Sequence, residues 1–161
     1  MTDFDVAIIG GGLAGGSTAI RLAQAGWRVG LFEAKSYPRH KVCGEFLSPE
    51  CDDLLGELGV NSQIQALKPA IIDRIRITAP NETTWQAHLP RAGSGLSRYV
   101  LDAMLAEQAA VLGVAVYPLT TVTDFHGNLD ATFLSHHPIQ QRQQHRIGPT
   151  GTGRTRQTQP A

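Results

Sequence analysis

Residues 5–34 read DVAIIGGGLAGGSTAIRLAQAGWRVGLFEA, and the fold turns on what flanks the glycines. Val6-Ala7-Ile8-Ile9 is a short apolar run with β-branched residues that ends at Gly10, the pattern of a strand buried on both faces. Beyond the glycines, Leu13, Ala14, Ser17, Ala19, Ile20, Leu22 and Ala23 are good helix formers or small residues, and Gly26 supplies a left-handed stop. Trp27 to Glu33 then reads as a second strand with a carboxylate at its C-terminal end. The unit is β-α-β and about 30 residues long, the size of one dinucleotide-binding half.

The spacing G-x-G-x-x-G is weak evidence alone, but each glycine has a mechanical role in this context. Gly10 lets the chain leave the strand in a tight turn, Gly12 lets the backbone approach a pyrophosphate, and Gly15 lets helix and strand pack closely. The helix that starts at Leu13 and Ala14 aims free backbone N–H groups and roughly half a positive charge at that phosphate. Glu33 stands 21 residues after Gly12, where a carboxylate accepts hydrogen bonds from adenosine ribose hydroxyls and repels a 2′-phosphate. A dinucleotide is therefore expected, with NADP disfavoured and the choice between NAD and FAD open.

The remaining sequence narrows the class. Lysine plus arginine equals aspartate plus glutamate, 14 each, so no global field favours nucleic acid or an anionic membrane. Cys43 and Cys51 make neither a zinc pattern nor a disulfide framework, and His40, His88 and His126 match no metal spacing. The acidic start, without a basic n-region, and an apolar run too short to span a bilayer predict a cytoplasmic protein with no integral membrane segment. Residues 34–47, AKSYPRHKVCGEFL, have no period and read as an ordered loop. Ser48-Pro49 fits an N-cap and first helical residue for a helix over about 49–58, closed by Gly59. Ile71–Thr78 and Thr84–Leu89 read as a half-exposed hairpin turning at Pro80-Asn81. Ser97 caps a longer helix with a stripe of Leu101, Met104, Leu105 and Leu112 and a stop at Gly113; Val114–Tyr117 and Thr121–Phe125 follow as strands.

Three blocks carry a family resemblance: residues 5–34, PRHKVCGEFLSPE at 38–50, and GLSRYVLDAMLAEQAAVLGVAV at 95–116. They are similar to FAD-dependent oxidoreductases of the para-hydroxybenzoate hydroxylase fold, and within these to the geranylgeranyl-reductase and flavin-dependent-halogenase branch. The resemblance covers residues 4–125 and tilts the cofactor from NAD to FAD. It implies that Glu33 binds the ribose, that Arg39 lies along the pyrophosphate and ribityl chain, and that Cys43-Gly44 pass near the flavin ring. It further implies a cofactor contact from Arg98 at the start of its helix and an adenine contact from the backbone of Val122. No catalytic residue is implied, and Cys43 is not read as one.

From residue 135 the composition changes. Residues 1–134 carry 10 basic and 14 acidic groups, net −4 with histidine neutral, whereas 135–161 carry four arginines and no acid. This tail holds six glutamines, four threonines and three prolines, buries too little to offset its ordering entropy, and is expected to be disordered rather than an RNA-binding arm. The resembling family continues with an A-x-G-x-x-S segment and a Gly-Asp motif, neither of which occurs in these 161 residues. The expectation is an α/β, Rossmann-like FAD-binding domain with a parallel sheet over residues 1–134, incomplete, and with 71–89 as the start of a substrate-domain sheet. Its function is that of the N-terminal part of a flavin-dependent oxidoreductase acting on an apolar or aromatic small molecule. A chain truncated or shifted in frame near 126–135 would not turn over. The rival readings are an NAD-binding dehydrogenase domain and a non-catalytic interaction module.

Overall fold

A computed structural model describes residues 4–43, 45–123 and 140–141. The β-α-β unit is formed by β1 (Val6–Ile9), α1 (Leu13–Gln24) and β2 (Val29–Phe32). β1 and β2 run parallel with Val6 opposite Val29 and Ile9 opposite Phe32. A third parallel strand, β6 (Ala115–Tyr117), pairs with the other edge of β2, so the order is β1-β2-β6. β2, in the centre, is buried throughout. β1, expected to be buried on both faces, is only half-buried because it forms an edge among the described strands, and Ile9 is 61% exposed.

The core lies between this sheet and two helices. α4 (Arg98–Val111) packs on α1 with Leu105 against Gly16, and Ala19, Ile20, Leu31, Leu101 and Ala109 fill the space between. The expected α4 stripe is found except at Leu112, which follows the helix end and is 36% exposed; Ala109 takes the buried position one turn earlier. Burying a leucine or isoleucine contributes about 1.5–3 kcal/mol, so the α1–α4 seam is a substantial stabilising contact of the unit. Gly26, Gly59 and Gly113, the expected helix stops, all have positive φ.

Residues 46–95 extend this core, with Leu55, Leu58, Val60 and Ile64 in the same buried cluster. α2 (Glu50–Glu57) starts one residue later than expected, with Pro49 rather than Ser48 in the cap position and no side-chain cap bond. A second short helix, α3 (Asn61–Ala66), was not foreseen. The expected hairpin is present but longer, β4 (Ala70–Thr78) against β5 (Thr84–Gly95), antiparallel with a register shift between Ile72 and Arg74. Residues 34–47 are not wholly loop, because Phe46–Leu47 pair with Ser94–Gly95 as β3. The last expected strand is β7 (Thr120–Thr121), which pairs antiparallel with β8 (Gln140–Gln141). Those two glutamines apart, the tail expected to be disordered lies outside the described residues, as do Gly44, Asp124 and Phe125.

Candidate functional site: an anion cradle at the β1–α1 turn

The β1–α1 turn leaves the sheet at Gly10, whose φ of +103° favours glycine. Gly15 faces back onto this turn, and a methyl group built on it would collide with the Gly10 carbonyl. Gly12 is the N-cap of α1, with extended backbone and no side-chain cap bond. The first N–H groups of that helix, those of Leu13 and Ala14 among them, are left for an external acceptor in the manner of a helix N-terminus.

Glu33 follows β2 directly and is held by backbone on both sides: its N–H donates to Tyr117 C=O (3.0 Å), and its C=O accepts from Thr120 N–H (2.9 Å). The residue is only 7% exposed, and its carboxylate faces the turn. Oε2 accepts from Gly11 N–H (2.9 Å) and from Arg39 Nη2 (2.8 Å), and Oε1 accepts from Lys35 N–H (2.9 Å). A carboxylate takes about four hydrogen bonds, so this one retains acceptor capacity for a hydroxyl brought to the same edge.

Three cations converge on Gly12. A methyl group built there would lie 3.5 Å from both Arg98 Nη2 and Lys41 Nζ and 4.0 Å from Arg39 Nη2. Arg98 is aimed by Asp102, one helical turn along α4: Nε donates to Oδ1 at 2.7 Å and Nη2 to Oδ2 at 3.0 Å. This bidentate pair, with Asp102 only 1% exposed, raises the Arg98 pKa further above its ordinary value. Arg39 spans the two carboxylates, from Glu33 to Asp102 Oδ2 (3.6 Å from Nη1). Its Nη1 is buried and has no hydrogen-bond partner. Nη1 faces the Asp102 carboxylate, whereas Nη2 is the Arg39 nitrogen near Gly12; three cations beside a helix N-terminus make that position one that favours an anion. Two carboxylates stand against three cations, a local excess of one positive charge.

The predicted residues thus divide. Gly10, Gly12, Leu13, Ala14, Gly15, Glu33, Arg39 and Arg98 meet in one place. Cys43 is exposed and lies beside Arg98. Val122 is half-buried, two residues beyond Thr120, which bonds to Glu33. Gly44 lies outside the described residues. Lys41, Asp102, Gly11 and Tyr37 were not singled out from sequence. The i,i+4 spacing of Arg98 and Asp102 was the available signal for one of them, and the extra glycine at position 11 for another. The Tyr37 hydroxyl donates to Gly11 C=O at 2.6 Å. Among the described residues no group of His, Cys, Asp and Glu forms a metal site, and no helix is long and apolar enough to cross a membrane.

Comparison with known proteins bears on which nucleotide the cradle takes. Residues 5–58 match the family of FAD dependent oxidoreductases. The domain is of the FAD-binding type. The chain is 30% identical over 141 residues to a menaquinone reductase of Mycolicibacterium smegmatis, covering 83% of this chain and 34% of that protein. It is 35% identical over 132 residues to a digeranylgeranylglycerophospholipid reductase of Methanoculleus marisnigri, covering 75% of this chain and 30% of that protein. Among solved structures, the myxobacterial chondrochloren halogenase CndH, a variant of the FAD-dependent halogenases, superposes with a TM-score of 0.71 at 26% identity, over 79% of this chain and 31% of that one. The chain therefore spans about a third of the length of these relatives. Family and fold together make FAD the cofactor and favour it over NAD, and the geranylgeranyl-reductase and halogenase-like branch is the one the chain resembles.

Proposed function

We propose that this polypeptide holds the ADP half of FAD for a flavin-dependent oxidoreductase acting on an apolar or aromatic small molecule, by reduction or by oxygen-dependent hydroxylation or halogenation. The observation that carries the reading is the cradle at Gly12, where Arg39 Nη2, Arg98 and Lys41 converge at the start of α1 beside the buried Glu33. Glu33 receives the adenosine ribose, Arg39, Lys41 and Arg98 neutralise the pyrophosphate, and the backbone near Val122 borders adenine. FAD, when bound, supplies the electron-transfer chemistry. The protein's part in this region is to orient the dinucleotide and keep its phosphates in a charge-compensated site. The apolar character of the substrate is supported by the names of the relatives, which include a menaquinone reductase and a digeranylgeranyl lipid reductase.

All the groups named here face the ADP half. ADP is therefore expected to bind the isolated polypeptide about as tightly as FAD, and no turnover is expected from it alone. Calorimetric titration with ADP, FAD and NAD tests the reading. Binding of ADP and FAD, with Glu33→Ala weakening ADP by about 1.5–3 kcal/mol, is the expected result. Stabilisation by NAD but not by FAD or ADP would overturn it.

A further inference from the structure

Gly11 is the one glycine of the run 10–12 that the spacing G-x-G-x-x-G leaves free. Both of its backbone polar groups are nevertheless held by side chains from the segment after β2. Its N–H donates to Glu33 and its C=O accepts from the Tyr37 hydroxyl. The same hydroxyl fills the place of a side chain at position 11. A methyl group built on Gly11 would collide with the Tyr37 oxygen and would lie 3.1 Å from Tyr37 Cζ and 3.2 Å from Glu33 Cβ. On its other side the Tyr37 ring carries the Arg39 guanidinium, whose central carbon lies 5.0 Å from the ring centroid. Burial first, and then the nearby Glu33 charge, raise the Tyr37 pKa above 10.0, so the hydroxyl remains a donor through neutral pH.

We infer that Tyr37 is a positioning residue for the pyrophosphate end of the site and that Tyr37 and Gly11 act as a coupled pair. A peptide unit is planar and trans, so holding the Gly11 C=O fixes the direction of the Gly12 N–H at the point where the three cations meet. The ring holds Arg39 over the same point from the side, a cation–π contact that a phenylalanine would keep. The middle glycine is thus set by the tyrosine 26 residues later rather than by the nucleotide. This inference rests on the ADP reading above.

The test is a set of titrations with ADP, inorganic pyrophosphate and adenosine on the unmodified chain, Tyr37→Phe, Gly11→Ala and the double variant, with circular dichroism to check folding. Tyr37→Phe is expected to weaken ADP and pyrophosphate about threefold to tenfold, the scale of one hydrogen bond, and to leave adenosine unchanged. Gly11→Ala is expected to weaken ADP more, and adding Tyr37→Phe should restore part of that loss because the hydroxyl no longer opposes the methyl group. Unchanged ADP affinity in Tyr37→Phe, or equal losses for ADP and adenosine, would overturn the inference while leaving the ADP reading intact. Strictly additive losses in the double variant would overturn the coupling. An unmodified chain that binds no ADP would overturn the underlying reading. Should Gly11→Ala fail to fold, the ADP-against-adenosine comparison in Tyr37→Phe still decides.

Discussion

At the scale of single residues, Asp102 is the one whose burial demands an explanation, because it sits at 1% exposure in a helix face otherwise made of Leu101, Leu105 and Ala109. Its two oxygens take Arg98 in a bidentate pair and lie 3.6 Å from Arg39. It therefore offsets two cations that an empty nucleotide site would leave repelling each other. Removing one member of a buried charge cluster costs about 3–5 kcal/mol when its partners stay behind. Asp102→Asn is expected to lower stability on that scale without ligand, measured by urea unfolding, while ADP binds at least as tightly because its phosphates face a more positive site. A parallel loss of ADP affinity would show instead that the aiming of Arg98 outweighs the charge balance.

At the scale of elements, the β1-α1-β2 unit was legible because each signal is local: an apolar run, glycines at defined offsets, a helical period and a terminal carboxylate. Glu33, Arg39 and Arg98 were legible for the same reason or through the family blocks. What was not legible depends on partners distant in sequence. β3 has two residues and exists only because β5 offers an edge; α3 has six residues with only Ile64 buried. Lys41 reads as a solvated charge until the loop folds it to within 3.5 Å of the Gly12 position. Asp5, ahead of β1, is a further case of a tie across elements. Its carboxylate accepts from the Arg28 backbone N–H (2.9 Å) and from the Arg28 guanidinium (Nη2 at 2.6 Å), joining the entries of β1 and β2. Hydrogen bonds from the Arg28 side chain first, and then from its backbone, bring the Asp5 pKa down from 3.8 to about 2. A depressed carboxylate pKa gives stability that is present above the unfolded value and lost as pH falls through the folded one. The stability difference between the unmodified chain and Asp5→Asn is thus expected to be constant above about pH 5 and to shrink between pH 3.8 and about 2. Thermal melts across that range check it, and a difference independent of pH would refute the pairing.

At the scale of the whole molecule, the β4–β5 ribbon is the part that leaves an apolar face exposed. Alternation places Ile75, Ile77, Trp85 and Ala87 on one face, through the cross-strand pairs Ile75–Ala87 and Ile77–Trp85, and Arg74, Arg76, Gln86 and His88 on the other. Such alternation means one face buried and one wet, yet Ile75, Ile77 and Trp85 are 41%, 56% and 57% exposed. Nothing among the described residues covers that face. An uncovered apolar strand face is a site of association. The isolated polypeptide is therefore expected to self-associate with rising concentration in sedimentation velocity and to enhance the fluorescence of an apolar dye. Replacing Ile75, Ile77 and Trp85 together by threonine keeps the strand propensity and removes the apolar surface. That variant should lose both behaviours while ADP affinity stays within about twofold, since such surface changes usually shift free energies by no more than ~0.5 kcal/mol. Association that persists in the variant would place the contact elsewhere, and a fall in ADP affinity would mean that the ribbon supports the cradle through β3 and the Glu45–Ser97 hydrogen bond (2.6 Å) that ties the loop to α4.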